Sequence, residues 1–143
     1  MSSVSIATLP RISRETLAGL LLTPTTASKL AIVDVRDSDH IGGHILNSHW
    51  HPSSTFSTQL RSLLTTLADK EQVIFHCALS QQRGPSAALK YLRERERTLG
   101  SSEEEGVRQR VYVLDGGFVK WQEKYGADER LTVAWVRDVW EEY

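Results

Sequence analysis

The chain has 143 residues, 40% of them hydrophobic and 24% charged, with a formal net charge of −1 at pH 7. That length suits a single domain, expected to span residues 1–143, with one substantial core. The near-neutral charge excludes general affinity for nucleic acid or anionic membranes, and no apolar stretch approaches the roughly 20 residues of a membrane span.

In chain order, RISRETLAGLLL reads as a helix with Ser13 as N-cap, and Ile12 and Leu17 stand at the two positions of a hydrophobic staple. KLAIVDVR (29–36) is a β-branched run and predicts a buried strand. In SSTFSTQLRSLLTTLADK, Phe56, Leu60, Leu63, Leu64 and Leu67 form a helical stripe. QVIFHC (72–77) predicts a second buried strand, followed by a helix from Gly84 to about Arg97 with Pro85 in its first turn. TLGSSEEEGVRQ (98–109) reads as a solvated loop, its tip the acidic Glu103–Glu105. RVYVLDGG is a third strand, and FVKWQEKYG a helix stopped by Gly126. LTVAWVRDVWEEY is expected to close the chain as a helix capped by Thr132. Strands separated by helices give an α/β domain with a mostly parallel central sheet.

Cys77 is the only cysteine. It cannot form an internal disulfide, and it fits a reducing compartment, cytoplasm or nucleus, as does the absence of a secretory leader in MSSVSIATLPR. It also ends a buried strand just before a helix, the place where open α/β sheets bind ligands. A tight loop there would aim the backbone N–H groups of Ala78, Leu79, Ser80, Gln81, Gln82 and Arg83 at a common centre. Arg83 can grip two oxyanion oxygens through its planar fork. A sulfur in such positive surroundings is poised as a nucleophile, with Ser80 as a hydrogen-bonding support. His76 and Gly84 flank the loop as supporting residues. H-C-x5-R-G-P therefore brings a nucleophile and a cradle for a tetrahedral dianion to one point.

HCALSQQRGPSAA resembles the active-site loop of the M-phase inducer phosphatases, which have a rhodanese fold, and above all their small single-domain fungal members. IVDVRDSDHIGGHI (32–45), LDGGFVKWQEKYG (114–126) and VAWVRDVW resemble further segments of that family, so the likeness covers nearly the whole chain. It implies a phosphocysteine intermediate on Cys77, with Arg83 and the loop amides on the equatorial oxygens, and no cofactor or metal. The implied substrate is a phosphorylated protein or a small aryl phosphate, and the implied state a monomer.

The chain departs from the large family members. Ala78 and Gln82 stand where they carry loop carboxylates, so no general acid is evident in the loop. Asp115 is read as a strand end. Val35 occupies the place of their second cysteine.

Fungal arsenate reductases share the H-C-x5-R-G-P frame. In that chemistry Cys77 would attack arsenic, and glutathione with glutaredoxin would complete the reduction. Sulfurtransfer is disfavoured because that loop is generally one residue shorter, and a binding module would normally have lost Cys77 or Arg83. The resemblance implies that Asp34 and Arg36 tie the sheet end to neighbouring backbone and that His44 packs locally, structural rather than catalytic roles. His40, His44, His49 and His51 lack regular metal-ligand spacing. Trp121, Trp135 and Trp140 are expected to pack the last helices on the sheet. Lys90, Arg93, Arg95 and Arg97, alternating with Glu94 and Glu96, are expected to form a solvated helix face.

Overall fold

The computed structural model describes residues 4–99 and 109–141. In chain order the elements are β1 (Arg11–Ile12), α1 (Arg14–Leu22), α2 (Pro24–Ala27), β2 (Leu30–Asp34), β3 (His44–Ile45), β4 (His49–Trp50), α3 (Phe56–Thr66), β5 (Gln72–His76), α4 (Arg83–Leu99), β6 (Arg110–Leu114), α5 (Gly117–Tyr125), β7 (Thr132–Val133) and α6 (Arg137–Trp140). Ser13 Oγ accepts the Thr16 amide at 3.1 Å, as an N-cap does.

Five strands form one sheet in the order β1-β6-β5-β2-β4, with every pair parallel. Alternation along the strands sends successive side chains to opposite faces. Val33, Val73, Phe75 and Val113 meet Phe56, Leu60 and Leu63 of α3 and Tyr91 of α4. Ile32, Ile74 and Leu114 meet Leu17 of α1 and Phe118 and Trp121 of α5. Both faces are covered, so β2 is buried along its whole length and reads as a continuous apolar run. β5 lies at the centre of the sheet, which puts its carboxyl end in the middle of one rim.

Several expectations need correction. The stretch from Leu131 is not one helix. Thr132 and Val133 pair antiparallel with Ile45 and His44, and only Arg137–Trp140 is helical. Thr132 is buried, and its hydroxyl accepts Trp121 Nε1 at 3.0 Å and donates to the Tyr125 carbonyl at 2.7 Å, so it caps nothing. These partners outweigh the helical propensity of the segment.

The third predicted helix begins one residue early, at Arg83, and runs to Leu99, so Thr98 is helical. The rest of the predicted loop, with Glu103–Glu105, lies outside the described residues except for Gln109. Arg95 is not solvated: it donates to the Gln109 carbonyl and side chain at 3.1 and 3.0 Å. Gly126 ends α5 with ordinary helical φ, −57°, and its need for glycine is spatial. A Cβ there would lie 2.4 Å from Trp135 Nε1.

Candidate active site

β5 delivers Cys77 to the sheet rim, and the chain turns through residues 78–82 into α4. Cys77 is buried. Its sulfur accepts the amides of Ser80 at 3.2 Å and Gly84 at 3.4 Å. The Ser80 hydroxyl faces the other way and accepts the Cys77 amide at 3.4 Å, so Ser80 supports the sulfur through its backbone. Ser80 holds a left-handed φ of 57°, a conformation that a non-glycine residue keeps only when its surroundings fix it. The amides of Ala78, Leu79, Gln81, Gln82 and Arg83 have no acceptor among the described residues.

α5 braces the loop from below. Phe118 and Val119 donate to the carbonyls of Cys77 and Ala78, both at 3.0 Å. Gly84 packs closely, since a Cβ there would stand 3.2 Å from His76 Cα. His76 is fully buried and its Nδ1 lies 3.0 Å from the Cys77 carbonyl, which can only accept. Nδ1 therefore carries the proton. Nε2 has no hydrogen-bond partner among the described residues and lies 3.8 Å from Asp34 Oδ2. Burial pushes the histidine below its ordinary value.

Asp34 and Arg36 form a buried pair, with contacts of 2.8 to 3.1 Å, and Arg36 also donates to the carbonyls of Gly43 and Ile41. Burial opposes the charge of Asp34, but the neighbouring His76 and the grip of Arg36 outweigh it and hold the carboxyl below its usual range. The aspartate and arginine thus tie the sheet end to neighbouring backbone, as expected. His40 and His44 stack, as do His49 and His51. Among the described residues no group of histidines, cysteines and carboxylates is arranged to hold a metal ion.

Arg83 does something the sequence does not reveal. Its Nη1 donates to Asp37 Oδ2 at 3.1 Å and Asp39 Oδ1 at 2.9 Å, and its Nη2 to Asp39 Oδ2 at 2.6 Å. The fork expected to grip an oxyanion grips a carboxylate in this structure. The arginine lowers Asp39 to about 2. The available signal was VRDSD itself: two acidic residues just past β2, the strand beside β5, belong on the same rim as Cys77.

Arg11 was also missed. It ends at the Ser80 carbonyl, 3.1 Å away, and stands 3.6 Å from Asp115, which lies in the turn just past β6. A cleft of about 310 Å³ adjoins Arg83, lined by Phe56 and Ala87 and by polar Ser53, Gln82, Ser86 and Lys90.

The rhodanese-like domain model matches residues 17–124. The chain belongs to that family. It is 43% identical over 129 residues to the CDC25-like phosphatase YCH1 of Saccharomyces cerevisiae, covering 82% of both chains. It is 39% identical over 95 residues to arsenate reductase 2.2 of Oryza sativa subsp. japonica, covering 66% of this chain and 70% of that one. Among solved structures, the rhodanese-family yeast protein tyrosine phosphatase Ygr203w superposes with a TM-score of 0.81 at 35% identity, over 97% of this chain and all (100%) of that one. The fold and the likeness to both small phosphatases and arsenate reductases stand. Relatives so named support an enzyme on this rhodanese-like scaffold.

Proposed function

We propose that the protein is a cysteine-dependent phosphatase acting on phosphotyrosine, or on phosphotyrosine and phosphoserine/threonine, in proteins or small aryl phosphates. The supporting observation is the sulfur of Cys77, which receives two backbone N–H groups from a loop whose other amides have no acceptor among the described residues. Those N–H groups point at the sulfur and hold it at the centre of the loop.

The thiolate attacks phosphorus. The S–P bond forms as the P–O bond to the leaving group breaks, and the departing oxygen takes its proton from solvent. The loop amides and Arg83 hold the equatorial oxygens through this charge shift. Water then attacks phosphorus, the P–S bond breaks, and inorganic phosphate and thiolate are released.

Arsenate reduction is the second reading. It is favoured by the rice relative and by the lack of a carboxylate between Cys77 and Arg83. A sulfur bonded to arsenic would need an external thiol such as glutathione, because Cys77 has no second cysteine to resolve it.

A panel of substrates separates these readings: an aryl phosphate, arsenate with glutathione and glutaredoxin, and thiosulfate with cyanide. The phosphatase reading requires turnover of the first, abolished in Cys77→Ser. Turnover of arsenate alone would replace it with the second.

A further inference from the structure

The contact between Arg83 and the two aspartates is built rather than incidental. Asp37 is fixed by Ser53 Oγ, which donates at 2.5 Å to the same Oδ2 that Arg83 reaches, and by the Ser54 amide, which donates to Oδ1 at 2.9 Å. Asp39 Oδ1 accepts the Asp37 amide at 2.8 Å. Both carboxylates are thus anchored, while the arginine reaches them on a long flexible stem. The root of that stem adjoins the nucleophile, since the next amide, that of Gly84, points at Cys77 Sγ. One guanidinium therefore has two anionic destinations within its swing: a fixed carboxylate pair and an oxyanion seated above the sulfur.

Resting on the phosphatase reading, we infer that Asp39, braced by Asp37, is a positioning residue that competes with the substrate oxyanion for Arg83 and so sets the affinity of the loop. A ligand that needs Arg83 on the loop binds in proportion to the fraction of molecules in which the arginine is free, and a bidentate carboxylate keeps that fraction small. When phosphate takes Arg83, Asp39 loses the cation that holds its carboxyl low and gains an anion as neighbour.

Calorimetric titration of wild type, Asp39→Asn and Asp39→Glu with inorganic phosphate tests the competition. Asp39→Asn keeps an oxygen for the Asp37 amide but loses the charge. It should bind phosphate about tenfold or more tightly. Its KM for an aryl phosphate should fall similarly without a matching rise in kcat, and Asp39→Glu should restore wild-type affinity. Adding Arg83→Ala should remove the gain.

An affinity in Asp39→Asn equal to or weaker than wild type overturns the competition. If wild type still hydrolyses the aryl phosphate in that case, the phosphatase reading survives it. Should Asp39→Asn fail to fold, the same question is put to wild type by carboxyl NMR. Saturating phosphate should raise Asp39 from about 2 towards or above the ordinary aspartate range. An unmoved titration overturns the proposal.

Discussion

The Phe118 amide donates to the Cys77 carbonyl at 3.0 Å, tying the reactive loop to the first turn of α5. The same carbonyl receives His76 Nδ1. Two donors fix the peptide plane after Cys77, and with it the direction of the Ala78 amide.

Gly117, just before Phe118, permits this approach. Its φ is +63°, and a Cβ would lie 2.3 Å from the Ala78 carbonyl oxygen. Gly117→Ala combines a disfavoured backbone with a collision against backbone. The expected loss is about 2 kcal/mol or more in urea denaturation, with a fall in aryl phosphate hydrolysis. A variant as stable and active as wild type would show that the loop does not depend on this contact.

Arg36 is the sole arginine partner of a buried carboxylate in the described residues. Arg36→Met leaves Asp34 charged and buried without its arginine, facing only the nitrogens of His40 and His76, both histidines that burial disfavours in the charged form. Denaturation should show a loss of about 3–5 kcal/mol. A loss below about 1 kcal/mol would mean that Asp34 finds water or another cation.

His76 gives a pH dependence of definite sign. Its folded value is depressed below the ordinary 6.5, so the unfolded chain takes up the proton first as pH falls. The stabilisation is complete above about 6.5 and is lost below it, by up to about 1.4 kcal/mol per pH unit, until the folded value is passed. Replacing His76 with Asn, which retains a donor for the Cys77 carbonyl, should flatten the slope of stability against pH just below 6.5. His40 and His49, also depressed by burial, leave a residual slope. An unchanged slope would locate the acid sensitivity elsewhere.

The strands β2, β5 and β6 and the Cys77 loop are readable from sequence because their determinants are contiguous: a β-branched run, a thiol, a helix start; the two-residue strands β1, β3, β4 and β7 carry no such run. The Arg83–Asp39 contact is not. Its partners are 44 residues apart and meet only because β2 lies beside β5 in the sheet. Thr132 misled for a related reason. Its local pattern suits a helix cap, whereas a strand partner at Ile45 and the indole of Trp121 decide its conformation. Arg95 likewise alternates with acidic residues as a solvated residue would, yet Gln109, the residue before β6, captures it.

Under the phosphatase reading the leaving group would lie in the cleft beside Arg83, with Lys90 at its polar side. Lys90→Glu should raise KM for an acidic phosphopeptide about threefold to tenfold and leave KM for a small aryl phosphate nearly unchanged. Equal effects on both substrates would put the peptide on another surface.

The most direct test of Cys77 as nucleophile is a rapid-mixing experiment with an aryl phosphate, quenched early and followed by mass analysis of the peptide containing residue 77. With hydrolysis of the phosphocysteine slower than its formation, covalent catalysis predicts a burst of aryl alcohol, one per enzyme molecule, together with one phosphoryl group on that peptide, both absent in Cys77→Ser. Hydrolysis that proceeds with no burst and no phosphorylated cysteine, or that survives in Cys77→Ser, would contradict it.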